Sequence, residues 1–469
     1  MVNCKRFIKT DTFRPFLQLP KVRIQPILAR EGKPTVDIAE VARMTGECAQ
    51  FNELICIKNP EHWQQVISSL GNDVDAIMPV SSPCYPTEIW NESPQALADR
   101  GLPVIFWPLI QFDEPDFWKW SASDLLRALG ITVHLVNNCH EGMILLKAMA
   151  VKKFLASSKM VVFGKQNFPW NALAAGKFMK ENIGTQLIVK PLESFREAGK
   201  NFSDKELLDF WKEHESRYID NIPARGELLT ALRTYFGIRT VLDEEKACGF
   251  GVNCYGDLIT NGGRDMPCLA QCLAREEGFI AACDGDFCAM INMAMVSFLL
   301  DVPCMMSNLY PLNYIGALTE HFGDRLAAKP EYAKFSRNLA RLAHCGYVGI
   351  VPAEMVPCGK ARLSDWGGTY EMKRDGRGCG VDSDLPDDQE FTGIELHFDG
   401  KTLMLVHGNI VETTRHENMP HCESSALLNF DDLEFFIRNV SREHIVLTCG
   451  DRRRELEILA QVMNLNIQK

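Results

Sequence analysis

The chain has 469 residues, a formal net charge of −11, and 46% apolar against 24% charged side chains, an ordinary balance for a folded protein of two or three domains. The acidic excess argues against a nucleic-acid surface. Residues 1–12, with Lys5, Arg6, Lys9 and Asp11, lack the apolar core of an export signal, and the longest apolar run, residues 289–300, is too short to span a bilayer. The 17 cysteines are scattered and odd in number, so they read as reduced core residues, and the expected compartment is the cytoplasm.

In chain order, the first third alternates short apolar runs with helical patterns. Residues 75–79, 103–107 (PVIFW) and 131–136 (ITVHLV) read as buried strands. A helical pattern at 123–129 lies between the last two, and a Ser/Pro loop at 81–90 could line a pocket. Such alternation indicates a parallel sheet covered on both faces. A second set begins at 160–164 (MVVFG), continues at 186–190 and returns at 279–283, with a charged surface-helix pattern at 204–218. In the last third, residues 373–386 look like an exposed loop. Residues 393–398, 402–407 and 426–430 are short strands broken by turns such as Asp399-Gly400, the spacing of an antiparallel sheet or small barrel. A capped helix at 431–439, a strand at 444–449 and an amphipathic helix at 452–463 close the chain. The expected fold is α/β: two doubly wound parallel-sheet domains (1–157 and 158–345) followed by a C-terminal antiparallel β-rich, barrel-like domain (346–469).

The segment that organises the chemistry is 278–294, GFIAACDGDFCAMINMA. A buried strand runs into Asp284-Gly285-Asp286 and then into an apolar helix, and ligands of open α/β sheets gather at such carboxyl ends of strands. Either aspartate could instead simply cap the helix. Glycine-rich phosphate cradles of the GxGxxG or GxxxxGK[ST] type are absent, as are HExxH, CxxC and GxSxG. Cys268 and Cys272, spaced i, i+4, could be part of a metal site but read better as one face of a helix in the core.

Three stretches in the same order resemble the L-fucose isomerase/L-arabinose isomerase superfamily, L-fucose isomerase most closely. They are Cys283-Asp284-Gly285-Asp286 with its following helix, residues 391–410 (FTGIELHFDGKTLMLVHGNI), and residues 443–450 (EHIVLTCG). The resemblance covers roughly residues 247–469. It implies that Asp286 is a metal-binding and catalytic aspartate, that His444 is a metal-binding histidine, and that Asp284 flanks the site. The glutamate expected as a third ligand is replaced by Cys268, whose thiolate suits Zn²⁺ better than the Mn²⁺ or Mg²⁺ that oxygen ligands favour. Asp257, Asp265 or Asp284 could substitute for it.

The activity implied is aldose–ketose interconversion of a free sugar by a metal-dependent isomerase, with Mn²⁺ expected ahead of Mg²⁺ or Zn²⁺. A non-catalytic sugar-binding relative, or a zinc enzyme of other sugar chemistry, are the competing readings. Asn253, His421, Tyr85 and Trp90 are the expected sugar contacts. The resemblance also implies a homo-oligomer, a trimer or hexamer, and neither nucleic acid nor membrane is an expected partner.

Overall fold

The computed structural model describes residues 18–29, 34–80, 94–219, 225–261, 265–302, 304–314, 316, 337–343, 361–365, 378–382, 385, 387–415 and 424–469. These residues form two compact units, one of Leu19–Phe154 and one of Gln18 together with Leu155–Lys469.

In the first unit, strands β1 (Val22–Ala29), β2 (Ala49–Phe51), β3 (Ile55–Ile57), β4 (Ala76–Pro79), β5 (Val104–Phe106) and β6 (Val133–Leu135) form one sheet. All its pairings are parallel, and the order is β2-β1-β4-β5-β6, with β3 taking the second half of β1. Strands buried on both faces must be apolar throughout. Ile77, Val104 and Phe106 therefore share one core with Trp63, Ile67, Leu97 and Leu126 from the covering helices.

The second unit starts with another parallel sheet. Its strands are β7 (Lys159–Phe163), β8 (Gln186–Lys190), β10 (Gly249–Val252) and β11 (Ile280–Ala282), in the order β8-β7-β10-β11. The short β9 (Tyr218–Ile219) belongs to a separate small sheet with β14 (Ala361–Asp365) and β15 (Cys379–Asp382). In both parallel sheets the first strand lies inside and the order reverses beside it, between β1 and β4 and between β7 and β10. Such a reversal opens a crevice at the carboxyl ends of the strands.

The rest of this unit is a closed antiparallel barrel. Strands β12 (Cys304–Pro311), β13 (Leu339–Ala343), β16 (Glu390–Leu396), β17 (Thr402–Arg415), β18 (Ser424–Phe430) and β19 (His444–Cys449) run β16-β19-β12-β13-β18-β17, and pairing of β16 with β17 closes the ring. The terminal β20 (Asn466–Gln468) adds in parallel to β17. Closure removes exposed edges. Because β12 and β13 belong to the ring, the barrel begins ahead of residue 346.

Between sheet and barrel lies the helix Phe287–Leu300. It touches β7, β10 and β11 on one side and β12, β16 and β19 on the other. Of its residues only Ser297 and Leu300 are not buried. A helix enclosed all round must be apolar all round, which explains the run of Ala, Met, Ile, Val and Phe. Side-chain parity then fixes which barrel residues face it. The Cys304 thiol lies 3.7 Å from the Met293 carbonyl and 3.4 Å from the Ser297 hydroxyl. Cys304 pairs with Thr448, and Asn308, four residues on, pairs with His444, so His444 lies on that same outer face of the barrel.

His134 on β6 carries a pH signature. Burial, with Arg127 and Lys152 close by, pushes its pKa down to about 4 from an ordinary 6.5. The unfolded chain therefore takes up a proton that the folded chain refuses, and stability present above pH 6.5 drains away as pH falls towards 4. Urea unfolding at pH 7 and pH 4.5 should show an acid-dependent loss on the order of 2 kcal/mol that His134→Gln abolishes.

Candidate functional site

The strand-to-helix junction after β11 turns sharply. Asp284 adopts φ +52° and Gly285 φ +66°, two successive left-handed residues. Aspartate tolerates this region better than most side chains. Gly285 has a second constraint, because a Cβ added to it would lie 3.0 Å from Val162 Cγ1 of β7. The turn is held from outside: Trp170 Nε1 and Asn171 Nδ2 donate to the Asp284 carbonyl at 3.1 and 3.4 Å.

This turn aims both carboxylates at one ring. His444 Nδ1 donates to Asp286 Oδ2 at 2.8 Å, and His444 Nε2 lies 3.5 Å from Asp284 Oδ2. An imidazole that donates from both nitrogens is an imidazolium. Burial opposes that charge, yet the hydrogen bonds to Asp284 and Asp286 carry the pKa of His444 up to about 9. Asp286 has no exposure at all. Its other oxygen caps the Phe287–Leu300 helix by accepting from Ala289 N at 2.7 Å. Burial would raise its pKa, but Arg442 and His444 outweigh burial and hold the carboxyl below its ordinary value.

Arg442 anchors the cluster to the barrel. Its Nε donates to Asp286 Oδ2 at 2.9 Å, and its Nη1 reaches Glu395 Oε1 at 3.3 Å and the Leu396 carbonyl at 2.7 Å. Glu395 Oε1 also accepts from the backbone N–H groups of Ser441 and Arg442 and from the Ser441 hydroxyl. Burial raises the Glu395 pKa, with Arg442 opposing. On the far side of Asp284, Oδ1 accepts from the Cys254 thiol at 3.0 Å and from Tyr255 N at 3.3 Å, and the Cys254 and Cys283 sulfurs lie 3.2 Å apart.

Aromatic rings flank the cluster. Trp170 meets the His444 ring edge-on at 5.0 Å and stacks on Phe168 at 4.6 Å, and Phe168 in turn lies 5.7 Å from Tyr255. All three rings are half-buried. A separate cleft of about 640 Å³ opens at the carboxyl ends of β7 and β8 and beside residue 257. It is lined by polar groups including Lys165, Gln166, Glu193, Arg196 and Asp257.

The sequence-derived candidates divide accordingly. Asp284, Asp286 and His444 come together. Asn253 is fully buried and serves the loops, donating to Lys165 O, Asn167 Oδ1 and Asp257 Oδ2 at 2.9, 2.8 and 3.1 Å. Cys268 is buried at the start of the helix Cys268–Glu276. The metal-spaced group found among the described residues is Cys254, Cys283 and Asp284, without Cys268. Tyr85, Trp90 and His421 lie outside the described residues, as does most of the loop at 373–386.

The hard divalent ion that the resemblance implies does not fit at Asp286 as it stands. Each Asp286 oxygen already accepts from N–H donors, and a guanidinium occupies the adjoining space. Sequence reasoning missed Arg442, Glu395, Trp170 and the pair Cys254/Cys283. Arg442 stands in Ser-Arg-Glu-His, which reads as a solvated turn.

Compared with models of known families and with curated proteins, the chain matches none. Among the described residues no helix is long and apolar enough to cross a membrane.

Replacing Arg442 tests how this charge is carried. Arg442→Met leaves Asp286 and Glu395 buried without their guanidinium and should cost about 3–5 kcal/mol in urea unfolding. Arg442→Lys, keeping the charge but losing the forked geometry, should cost less.

Proposed function

We propose that the chain acts on a free sugar, with the aldose–ketose chemistry of the L-fucose isomerase/L-arabinose isomerase superfamily. In this reading both parallel sheets are doubly wound units. The observation that carries it is the half-buried Trp170–Phe168–Tyr255 group set against the Asp284–His444 pair. Aromatic faces accept the C–H side of a sugar ring, and a carboxylate beside an imidazolium supplies the base and acid that such a reaction needs.

The steps fall to this chain's own groups. Asp284 removes a proton from the carbon next to the carbonyl and returns it to the adjoining carbon. Protonated His444 donates to the sugar oxygen on which charge develops and recovers its proton from the neighbouring hydroxyl. Asp286 holds the ring in place and keeps it charged. The reaction is internally balanced and needs no nicotinamide or phosphate cradle.

A second reading, a sugar-binding protein without turnover, is favoured by one specific observation. The polar cleft beside β7 and β8 is lined by neither Asp284, Asp286 nor His444. A homo-oligomer belongs to either reading. Phe112, Phe117, Trp118 and Trp120 are each more than half exposed, an apolar surface of the kind that subunit contacts cover.

The test is proton exchange. Free aldoses and ketoses are incubated with the protein in deuterium oxide and examined by NMR for label at C1 and C2. The isomerase reading expects incorporation that Asp284→Asn lowers at least about 100-fold. It also expects Trp170→Ala to raise KM more than it lowers kcat. A sugar-dependent rise in Tm without label would move the assignment to the binding protein, and neither effect with any sugar would end both readings.

A further inference from the structure

The ladder between β16 and β19 ends early. It runs from Phe391–Cys449 to Ile394–Val446, although β16 continues to Leu396 and β19 begins at His444. Where the two strands part, side chains take up the backbone groups of Leu396. Its N–H donates to Asn292 Oδ1 at 3.1 Å, and its carbonyl accepts from Arg442 Nη1 at 2.7 Å. Asn292 belongs to the apolar helix Phe287–Leu300, and Arg442 stands two residues ahead of the start of β19. The buried backbone is thereby satisfied, as burial requires.

The side chains that satisfy it are used only in part. Asn292 Nδ2, Arg442 Nη2 and Glu395 Oε2 are buried and have no hydrogen-bond partner among the described residues. Asn292 and Glu395 have no exposure, and the Arg442 side chain has 2%. Glu395 is the most lopsided of the three. Its Oε1 accepts from Ser441 N, the Ser441 hydroxyl, Arg442 N and Arg442 Nη1, whereas Oε2 accepts from none. Arg442 and Glu395 meet through Nη1 and Oε1 at 3.3 Å, so the orphaned Nη2 and Oε2 belong to directly paired groups. The Asn292 amide is joined to the same pair through Leu396, whose N–H it accepts and whose carbonyl Arg442 holds. Each buried polar atom left unpaired costs about 1–3 kcal/mol. A single partner shared by all three would remove most of that cost.

The chemistry of the three atoms selects the partner. Two are N–H donors and the third is a carboxylate oxygen, so the ligand must accept twice and donate at least once. A chloride ion would accept from both donors but face the Glu395 carboxylate. A sodium or ammonium ion would suit Glu395 but face the guanidinium. Water meets both demands, and buried waters typically make about three hydrogen bonds to groups of this kind.

We propose that one water molecule is bound where β16 and β19 part, accepting from Asn292 Nδ2 and Arg442 Nη2 and donating to Glu395 Oε2. Through it the buried helix, the end of β16 and the segment ahead of β19 share one bridging group. It also steadies the guanidinium whose Nε serves Asp286 at 2.9 Å. The water takes no part in moving protons at Asp284 or His444, and the site does not rest on the isomerase reading.

The test is a high-resolution crystal structure of the full chain, with data also collected at a long wavelength where chloride and potassium scatter anomalously. One ordered density peak is expected at ~2.7–3.2 Å from all three atoms, without anomalous signal. In solution, oxygen-17 relaxation dispersion counts slowly exchanging internal waters. Asn292→Leu removes the amide donor and fills its place with methyl groups, so the count should fall by one. In Glu395→Gln the four donors on Oε1 require the amide oxygen there, which puts a donor in place of Oε2. The water then meets three donors and no acceptor, and its residence time should shorten at least tenfold. A direct bond between Arg442 Nη2 and Glu395 Oε2 in the crystal would overturn the proposal. So would an anomalous peak that marks an ion, or an unchanged water count in Asn292→Leu. The crystal structure needs no variant, so it decides even if a substitution prevents folding.

Discussion

A fully buried carboxylate at the head of an apolar helix is the constraint around which the larger unit is built. Left alone in that setting, an ionised Asp286 would cost several kcal/mol. It is instead compensated from three directions: the helix N-terminus through Ala289 N, the imidazolium of His444, and the guanidinium of Arg442. The last two come from the end of the chain, so the barrel cannot be set in place without also neutralising the junction of the parallel sheet. Specific charge pairing and non-specific apolar burial along the Phe287–Leu300 helix thus fix the same interface. The apolar surface supplies most of the driving force, and the charged cluster selects one register.

Much of this arrangement was visible in the residues. The apolar run before Asp284 and the longer one after it differ in length and in what separates them, which is enough to tell strand from helix. The turn Asp399-Gly400 marks the link between β16 and β17, and His444 stands at the head of a strand as its pattern indicates. Closure of the barrel was only one of two options in the sequence, because strand spacing carries no information on whether β16 returns to β17. The length of β17, Thr402–Arg415, was also hidden. A bulge between Ile410 and Glu412 shifts its alternation, so one continuous strand does not show one continuous period.

The site was legible in its acids and its histidine but not in what surrounds them. Cys254 and Cys283 look like two more small core residues in a chain rich in cysteine, and nothing local shows that their sulfurs meet beside Asp284. Arg442 sits two residues before His444 among polar neighbours, where a guanidinium normally reaches water. Its burial comes from the meeting of Glu395 and Asp286, which lie 109 positions apart in the chain and find each other only in the fold. Asn253 shows the converse. The resemblance offered it as a sugar contact, while its amide donates to the loops after β7 and β10.

The position of β12 in the ring bears on how the protein is made. This strand follows directly after the buried helix, yet its neighbour β19 arrives near the end of the chain, with Cys304 pairing to Thr448. At a synthesis rate of about 5–20 residues per second, roughly 7–29 seconds separate the two. Throughout that interval the newly made helix and the lone strand have no barrel to shelter them, and Asp286 has neither His444 nor Arg442. The nascent chain therefore carries the barrel-facing side of its most apolar helix uncovered until β19 has been made, and only the side against β7, β10 and β11 can be buried before then.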